Sequence, residues 1–125
     1  IRRQRQMCIR DRRWGMYKNF KIQKYLPSEG YFATHCENDG TFETVPEKKQ
    51  VKGPCKRMIT WMFYLNTVKN GGGTDFLHQK LTLQPEEGTI VLWPAAYTHR
   101  HHATNDLKGD KWIATGWFRF KTQAT

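Results

Sequence analysis

The sequence predicts an all-β fold, either a sandwich or a barrel. Apolar and polar residues alternate with a period of two in residues 20–22, 58–65 and 112–120, as expected for strands with one buried face. Turn-forming residues separate these runs, and no segment shows the 3.6-residue period of a long helix. At 125 residues the chain can bury one hydrophobic core but not two, so we expect a single domain.

The predicted strands follow one another along the chain as residues 20–22, 31–35, 58–65, 74–83, 89–93, 98–103 and 112–120. Turn-forming residues lie between them at 27–30, 70–73, 85–88 and 108–110. Short strands at such even spacing are typical of sandwiches and barrels. Residues 38–56 are polar and lack periodicity, so we predict a long mobile loop there, of the kind that often covers a functional site.

The basic charge is concentrated at the N-terminus. The net charge is +10, and residues 2–12 read RRQRQMCIRDR, with five arginines and one aspartate. This string matches one reading frame of a common sequencing adapter, and the chain starts with Ile1. We interpret residues 1–12 as an assembly artefact and residues 13–125 as a domain whose N-terminal part is missing. The alternative is a genuine basic arm.

Without residues 1–12 the net charge falls from +10 to +6, because five positive charges and one negative charge are removed. The remainder has no zinc-finger, helix-turn-helix or RNA-recognition motif, so a nucleic-acid partner is the weakest hypothesis. No apolar run approaches the roughly 18 residues of a membrane span, and no secretory signal is present. We therefore expect a soluble protein without a membrane partner. Cys36 and Cys55 form no CxxC pair, which favours a reducing compartment.

Histidines and one glutamate form a candidate metal site. His35 and Glu37 are two apart on a predicted strand, so their side chains leave the same face. A lone pair of this kind is usually structural, but a second histidine-rich segment lies at residues 98–102. Two strand neighbours and one distant histidine form the facial triad of non-haem Fe(II) oxygenases. Zinc is the second choice, since structural zinc favours four ligands with cysteine.

The order of motifs along residues 17–120 resembles that of prolyl 4-hydroxylase-like Fe(II)/2-oxoglutarate oxygenases, particularly those of phages and marine microbes. The matching segments are QKY at 23–25, GY at 30–31, HCE at 35–37, RMITWMFYLN at 57–66, GGTDF at 72–76, GTIV at 88–91, WP at 93–94, THRH at 98–101 and KWIATGW at 111–117. The resemblance implies a double-stranded β-helix, a cupin-like jelly roll with the metal at its open end.

The resemblance also implies the ligands. His35 and Glu37 would bind Fe(II) together with His101, which lies ten residues before Lys111, the residue that would hold the far carboxylate of 2-oxoglutarate. His99 and His102 remain alternatives for the distal ligand. The family's commoner carboxylate is aspartate, and a proline usually follows the distal histidine, so this chain departs from the pattern at both places.

Further residues would surround the co-substrate and substrate. Thr115 and Trp117 share a strand face with Lys111; Thr115 would bind the co-substrate and Trp117 would wall the substrate pocket. Tyr25 and Tyr64 lie where the family places tyrosines around 2-oxoglutarate. Substrate would approach over residues 38–56 and the strand that carries Arg57. Each tyrosine has a structural alternative as aromatic filling of a sheet face, and Trp117 as a core residue.

The implied activity is hydroxylation of a C–H bond by an Fe(II)- and 2-oxoglutarate-dependent dioxygenase that uses O2 and releases succinate and CO2. Ascorbate is a further candidate cofactor. The substrate would be a peptide or a small molecule, with peptidyl proline as the family-based choice, and the location would be the cytoplasm of a microbial or virus-infected cell. The alternative is a non-catalytic jelly-roll binding module with a degraded metal site.

Overall fold

The computed structural model describes residues 13–40, 42–45 and 50–121. The predicted artefactual segment 1–12 lies outside the described residues, as do residues 41, 46–49 and 122–125. Strands make up almost all regular structure in the described part: β1 Trp14–Met16, β2 Lys21–Tyr25, β3 Phe42–Val45, β4 Gln50–Pro54, β5 Arg57–Tyr64, β6 Thr74–Phe76, β7 Leu81–Leu83, β8 Ile90–Pro94, β9 His101–Ala103 and β10 Lys111–Phe120. The all-β prediction is confirmed.

Two antiparallel sheets organise the domain. In the larger sheet β10 pairs with β5 on one side, and β5 pairs in turn with β8. The other side of β10 is shared: residues 111–115 pair with β2 and residues 118–120 with β1. The smaller sheet has the order β7-β6-β9. Strands β3 and β4 form a separate two-stranded pair.

The hydrophobic core is built by strand side chains that are almost fully buried. Its cluster consists of Met62, Tyr64, Phe76, Trp93 and Ile113, which come from β5, β6, β8 and β10 and therefore from both sheets. Burial of each such side chain contributes about 1.5–3 kcal/mol to folding. In the described residues no helix is long and apolar enough to cross a membrane.

Three predicted strands differ from the observed ones. Residues 31–35 form no strand. His35 makes an isolated bridge with His101, and the carbonyl oxygen of Tyr31 accepts a hydrogen bond from the nitrogen of Ala103. Residues 74–83 are a hairpin of β6 and β7, whose turn contains Lys80 at a φ of 50°. That turn has neither glycine nor proline, so it gave no turn signal. Within residues 98–103 only His101–Ala103 is a strand, because Tyr97–His99 form a 3-10 turn.

The predicted loop at residues 38–56 was wrong in part, since β3 and β4 lie inside it and pair with each other. Strand β1 was not predicted. It consists of three residues paired with the last part of β10, and so short a segment has no measurable period of its own. Both the missed β3–β4 pair and the missed strand β1 depend on pairing between strands, for which the local sequence has no signal.

Candidate metal and co-substrate site

His35 and His101 present the same ring nitrogen to a common point. Nδ1 of His35 donates to the carbonyl oxygen of Ala33 at 2.8 Å, and Nδ1 of His101 donates to that of His99 at 2.9 Å. A carbonyl oxygen can only accept, so each Nδ1 carries a proton. Each Nε2 faces Glu37, donates to it while protonated, and can bind a metal once that proton is lost. Hydrogen bonds of this kind orient metal-binding histidines.

Glu37 completes the cluster. Its Oε1 lies 3.3 Å from Nε2 of His35 and 3.5 Å from Nε2 of His101. The three ligating atoms all lie within 4.8 Å of one another. Metal–ligand bonds of about 2.1 Å at right angles would place neighbouring ligand atoms about 3 Å apart, so these three atoms need to move little to bind one ion. The donor set of two imidazoles and one carboxylate fits Fe(II).

The other two candidate histidines are not part of this cluster. Nε2 of His102 lies 3.7 Å from Oδ2 of Asp75 on the neighbouring strand. Nδ1 of His99 lies 2.9 Å from the hydroxyl of Thr98. His102 alternates with His101 along β9, so the two rings leave opposite faces. Of the three, the structure brings only His101 to His35 and Glu37.

The electrostatics of the cluster favour a charged Glu37. Burial by itself raises the pKa of this carboxyl, but hydrogen bonds from His101 and His35, together with the charges of His35 and Arg57, hold the pKa well below its ordinary value. Burial by itself lowers the pKa of His35. The hydrogen bonds that His35 makes with the Glu37 carboxylate and with the Ala33 carbonyl oxygen outweigh burial, so the pKa is raised. Glu37 is therefore already in the ionised form that a metal requires.

A cavity of about 430 Å³ opens beside the cluster. Lys111 lines it and is only 4% exposed, with Nζ donating to the carbonyl oxygen of Gly72 at 2.8 Å. Gly72 has a φ of +71°, and an added Cβ would lie 2.5 Å from Leu107, so only glycine can present its carbonyl there. Burial lowers the pKa of Lys111, because desolvation destabilises the charged ammonium group relative to the neutral amine.

Three buried polar atoms without a hydrogen-bond partner belong to residues that line the same cavity. Among the described residues these are Oγ1 of Thr115, Nε1 of Trp117 and Nε1 of Trp93. Buried polar groups are nearly always satisfied, so an anionic ligand with several oxygens would suit this wall. The residues present therefore fit 2-oxoglutarate, whose two carboxylates need a cation and hydrogen-bond donors.

The predicted tyrosines are placed differently. Tyr25 lines the cavity, and Nζ of Lys111 lies 5.2 Å from the centre of its ring. Tyr64 is only 1% exposed, and its hydroxyl is 2.8 Å from that of Thr74. Thr74 lines the cavity but Tyr64 does not, so Tyr64 lies behind the wall. Thr74 was not singled out from the sequence, although it belongs to the segment GGTDF.

Arg57 and Trp117 lie at the metal end. Nη1 of Arg57 is 3.3 Å from Oε2 of Glu37, and its guanidinium carbon is 3.8 Å from the centre of the Trp117 ring. Tyr31, which the sequence did not mark as a site residue, packs edge-on against the His35 ring with centroids 4.4 Å apart. These aromatic and cationic groups line the cavity beside the three candidate ligands.

Comparison with known proteins agrees with this geometry. A family model described as the 2OG-Fe(II) oxygenase superfamily matches residues 20–119. The chain belongs to this superfamily. Prolyl 4-hydroxylase subunit alpha-1 of Gallus gallus is 33% identical over 85 residues, which is 62% of this chain and 16% of that protein. The same subunit of Homo sapiens is 32% identical over 85 residues, with the same coverage. The chain thus spans about a sixth of the length of these relatives.

Solved structures of other oxygenases share the fold. The viral collagen prolyl hydroxylase of Paramecium Bursaria Chlorella virus-1, in its 2OG complex, matches with a TM-score of 0.71 and 21% identity over 97% of this chain and 70% of that chain. A Pseudomonas putida prolyl-4-hydroxylase matches with a TM-score of 0.61 and 21% identity over 82% of this chain and 52% of that chain. The predicted jelly roll and the resemblance to prolyl 4-hydroxylase-like oxygenases are confirmed.

Proposed function

We propose that this oxygenase domain uses Fe(II), O2 and 2-oxoglutarate to hydroxylate a C–H bond, with release of succinate and CO2. One observation carries the proposal: Nε2 of His35, Nε2 of His101 and Oε1 of Glu37 converge beside the cavity that also contains the buried Lys111. A metal site and an anion site in one cavity are what a reaction between a metal-bound 2-oxo acid and dioxygen requires.

His35, Glu37 and His101 would hold the metal on one face. This set of two histidines and one carboxylate would leave three coordination positions for a 2-oxo acid and dioxygen. The bound iron supplies the oxidising chemistry, while the protein binds, orients and excludes water. The carbonyl oxygens of Ala33 and His99 keep both imidazoles in the tautomer that binds metal.

Lys111 would bind the far carboxylate of 2-oxoglutarate. Its ammonium group is buried at one end of the cavity, where a charge-assisted hydrogen bond is stronger than at the surface. Oγ1 of Thr115 would donate to the same ligand and so gain a partner. The hydroxyl of Tyr25, which accepts a hydrogen bond from Gln23 at 3.0 Å, would be a third donor.

The substrate would be a peptide or a small molecule that enters past Arg57, Trp117 and Tyr31. The relatives are named as prolyl 4-hydroxylases and the viral structure as a collagen prolyl hydroxylase, so we propose peptidyl proline as the first substrate to test.

The test is formation of succinate from 2-oxoglutarate by the purified chain with Fe(II) under air. We expect succinate to appear with the parent and to be lost in His35→Ala, without loss of β-structure by circular dichroism. His102→Ala is the control, because His102 follows the candidate ligand His101 directly but its Nε2 faces Asp75. This variant should retain turnover. A folded parent that binds Fe(II) but forms no succinate would instead indicate the non-catalytic binding module.

A further inference from the structure

The two carboxylate oxygens of Glu37 have different partners. Oε1 faces the two histidines at 3.3 and 3.5 Å, whereas Oε2 accepts a hydrogen bond from Nη1 of Arg57 at 3.3 Å. The Glu37 side chain is 13% exposed and the Arg57 side chain is 30% exposed, so this ion pair is partly shielded from water. One oxygen is directed at the metal position and the other is already bound to the protein.

Arg57 is itself held from two directions. Its guanidinium stacks on the Trp117 ring at 3.8 Å, a cation–π contact that restricts a long side chain. Its carbonyl oxygen accepts a hydrogen bond from the side chain of Asn38 at 2.9 Å, and the backbone nitrogen of Asn38 donates to Ala95 at 2.8 Å. Since Asn38 follows Glu37 directly, this hydrogen bond holds the backbone at Glu37 and the backbone at Arg57 in a fixed relative position.

A glutamate ligand needs a partner that fixes its carboxylate more than an aspartate ligand does. A carboxylate can bind a metal through one oxygen or through two, and glutamate has one more rotatable bond than aspartate. If both oxygens of Glu37 bound the metal, one of the three positions needed by 2-oxoglutarate and dioxygen would be taken. A partner that occupies Oε2 prevents this.

We propose that Arg57 is a positioning residue that keeps Glu37 a one-oxygen ligand of the metal. The inference rests on the proposed function for its consequence, but the contact can be tested by metal binding alone. Aspartate is one carbon–carbon bond shorter, about 1.5 Å, and has one rotatable bond fewer, so an aspartate ligand depends less on a partner that fixes its second oxygen. Arg57 should therefore matter when residue 37 is glutamate and matter little when it is aspartate.

The experiment uses Co(II), which is stable in air and has a visible spectrum that depends on its coordination. Affinity and spectrum are measured for the full chain and for Arg57→Met, Arg57→Gln and Arg57→Lys. We expect Co(II) affinity to fall by about 10-fold or more in Arg57→Met and Arg57→Gln, the usual loss for a residue that orients a ligand, with a changed spectrum. Arg57→Lys keeps a donor and should recover part of the affinity.

The expected loss of Co(II) affinity cannot be explained by charge alone. Removal of the Arg57 cation reduces repulsion of a divalent metal and would by itself strengthen metal binding. Weaker binding in Arg57→Met therefore indicates that Glu37 has lost its positioning partner. Lys21→Met is the matched control, because Nζ of Lys21 also lies over the Trp117 ring, at 5.7 Å, but makes no ion pair with Glu37 among the described contacts. It should leave affinity and spectrum unchanged. Circular dichroism confirms that each variant is folded.

The same substitution in a Glu37→Asp background completes a double-mutant cycle. We expect Arg57→Met to change Co(II) affinity less than about 2-fold there. Parent-like affinity and spectrum in the folded Arg57→Met and Arg57→Gln variants would overturn the inference, as would an equal loss in both backgrounds. These results leave the proposed function standing. Conversely, a parent that binds Co(II) with the expected coupling but forms no succinate from 2-oxoglutarate with Fe(II) would overturn the function and keep the positioning role.

Discussion

His35 and His101 exchange both of their backbone hydrogen bonds, although 66 positions (101 − 35) separate them in the sequence. The nitrogen of His35 donates to the carbonyl oxygen of His101 at 3.0 Å, and the nitrogen of His101 donates back at 2.9 Å. Their rings lie with centroids 4.4 Å apart. This isolated antiparallel bridge fixes two candidate ligands by the backbone, so they need no metal to be brought together.

Lys111 is the residue on which co-substrate binding should depend most. Lys111→Ala would leave the far carboxylate of 2-oxoglutarate in a buried place without its cation, and we expect a loss of roughly 2–5 kcal/mol in binding free energy. Lys111→Arg should retain much of the affinity, with some loss because the two side chains differ in shape. Calorimetry with Mn(II) in place of iron measures 2-oxoglutarate and metal binding separately. Unchanged 2-oxoglutarate affinity in Lys111→Ala would place the basic anchor elsewhere.

Alkaline pH should weaken 2-oxoglutarate binding. Burial lowers the pKa of Lys111 from its ordinary 10.5, so the charged form is complete only below the lowered value. As pH rises through that value, the cation is lost and the affinity for the dianion should fall, beginning below pH 10.5. Lys111→Arg stays charged throughout and should show no such fall. An identical pH profile for the parent and Lys111→Arg would contradict the assignment of Lys111 as the anchor.

The metal-free protein should have a stability that depends on pH through the ligand cluster. The pKa of Glu37 is lowered, so its contribution is present above its ordinary 4.5 and is lost as pH falls through the lowered value. The pKa of His35 is raised, so its contribution is present below 6.5 and is lost as pH rises through the raised value. The joint contribution should be largest between about pH 4.5 and 6.5.

Urea unfolding of the parent and of Glu37→Gln, both with a chelator present, measures this contribution. The difference in unfolding free energy between the two proteins should be largest in that window and smaller on either side. A difference that stays constant from pH 4 to pH 8 would show that the cluster does not titrate as described.

Deletion of residues 1–12 should leave folding and activity unchanged, if the segment is an artefact with no selected contacts. Chemical unfolding and 2-oxoglutarate turnover of the shortened chain, compared with the full chain under the same salt, measure this. A large loss of stability on deletion would show the segment to be native.

The sequence predicted the fold class well, because the fold class depends on local patterns, whereas the roles of the site residues stay a prediction. The period-two runs identified β5 and β10, the strands that carry Arg57, Lys111, Thr115 and Trp117. The choice of His101 over its neighbours rested on spacing and family resemblance, and the alternation along β9 gives the physical reason why His102 points away.

Long-range pairing could not be predicted. His35 was expected on a regular strand, but it holds its position by one bridge. Glu37 lies beyond that bridge, and its contact with Arg57, 20 positions away, has no local signal. Tyr64 was placed at the co-substrate by resemblance, whereas its register on β5 directs its hydroxyl to Thr74.

The most direct measurement of the central claim is an anaerobic titration of the chain with Fe(II) and 2-oxoglutarate, followed by visible absorption. A 2-oxo acid chelated by Fe(II) gives a charge-transfer band that neither component gives alone. The account predicts this band for the parent and for His102→Ala, and its loss in His101→Ala with the β-rich circular dichroism spectrum retained. A band of full intensity in folded His101→Ala, or none in the parent, would contradict the claim that His35, Glu37 and His101 hold the iron to which 2-oxoglutarate binds.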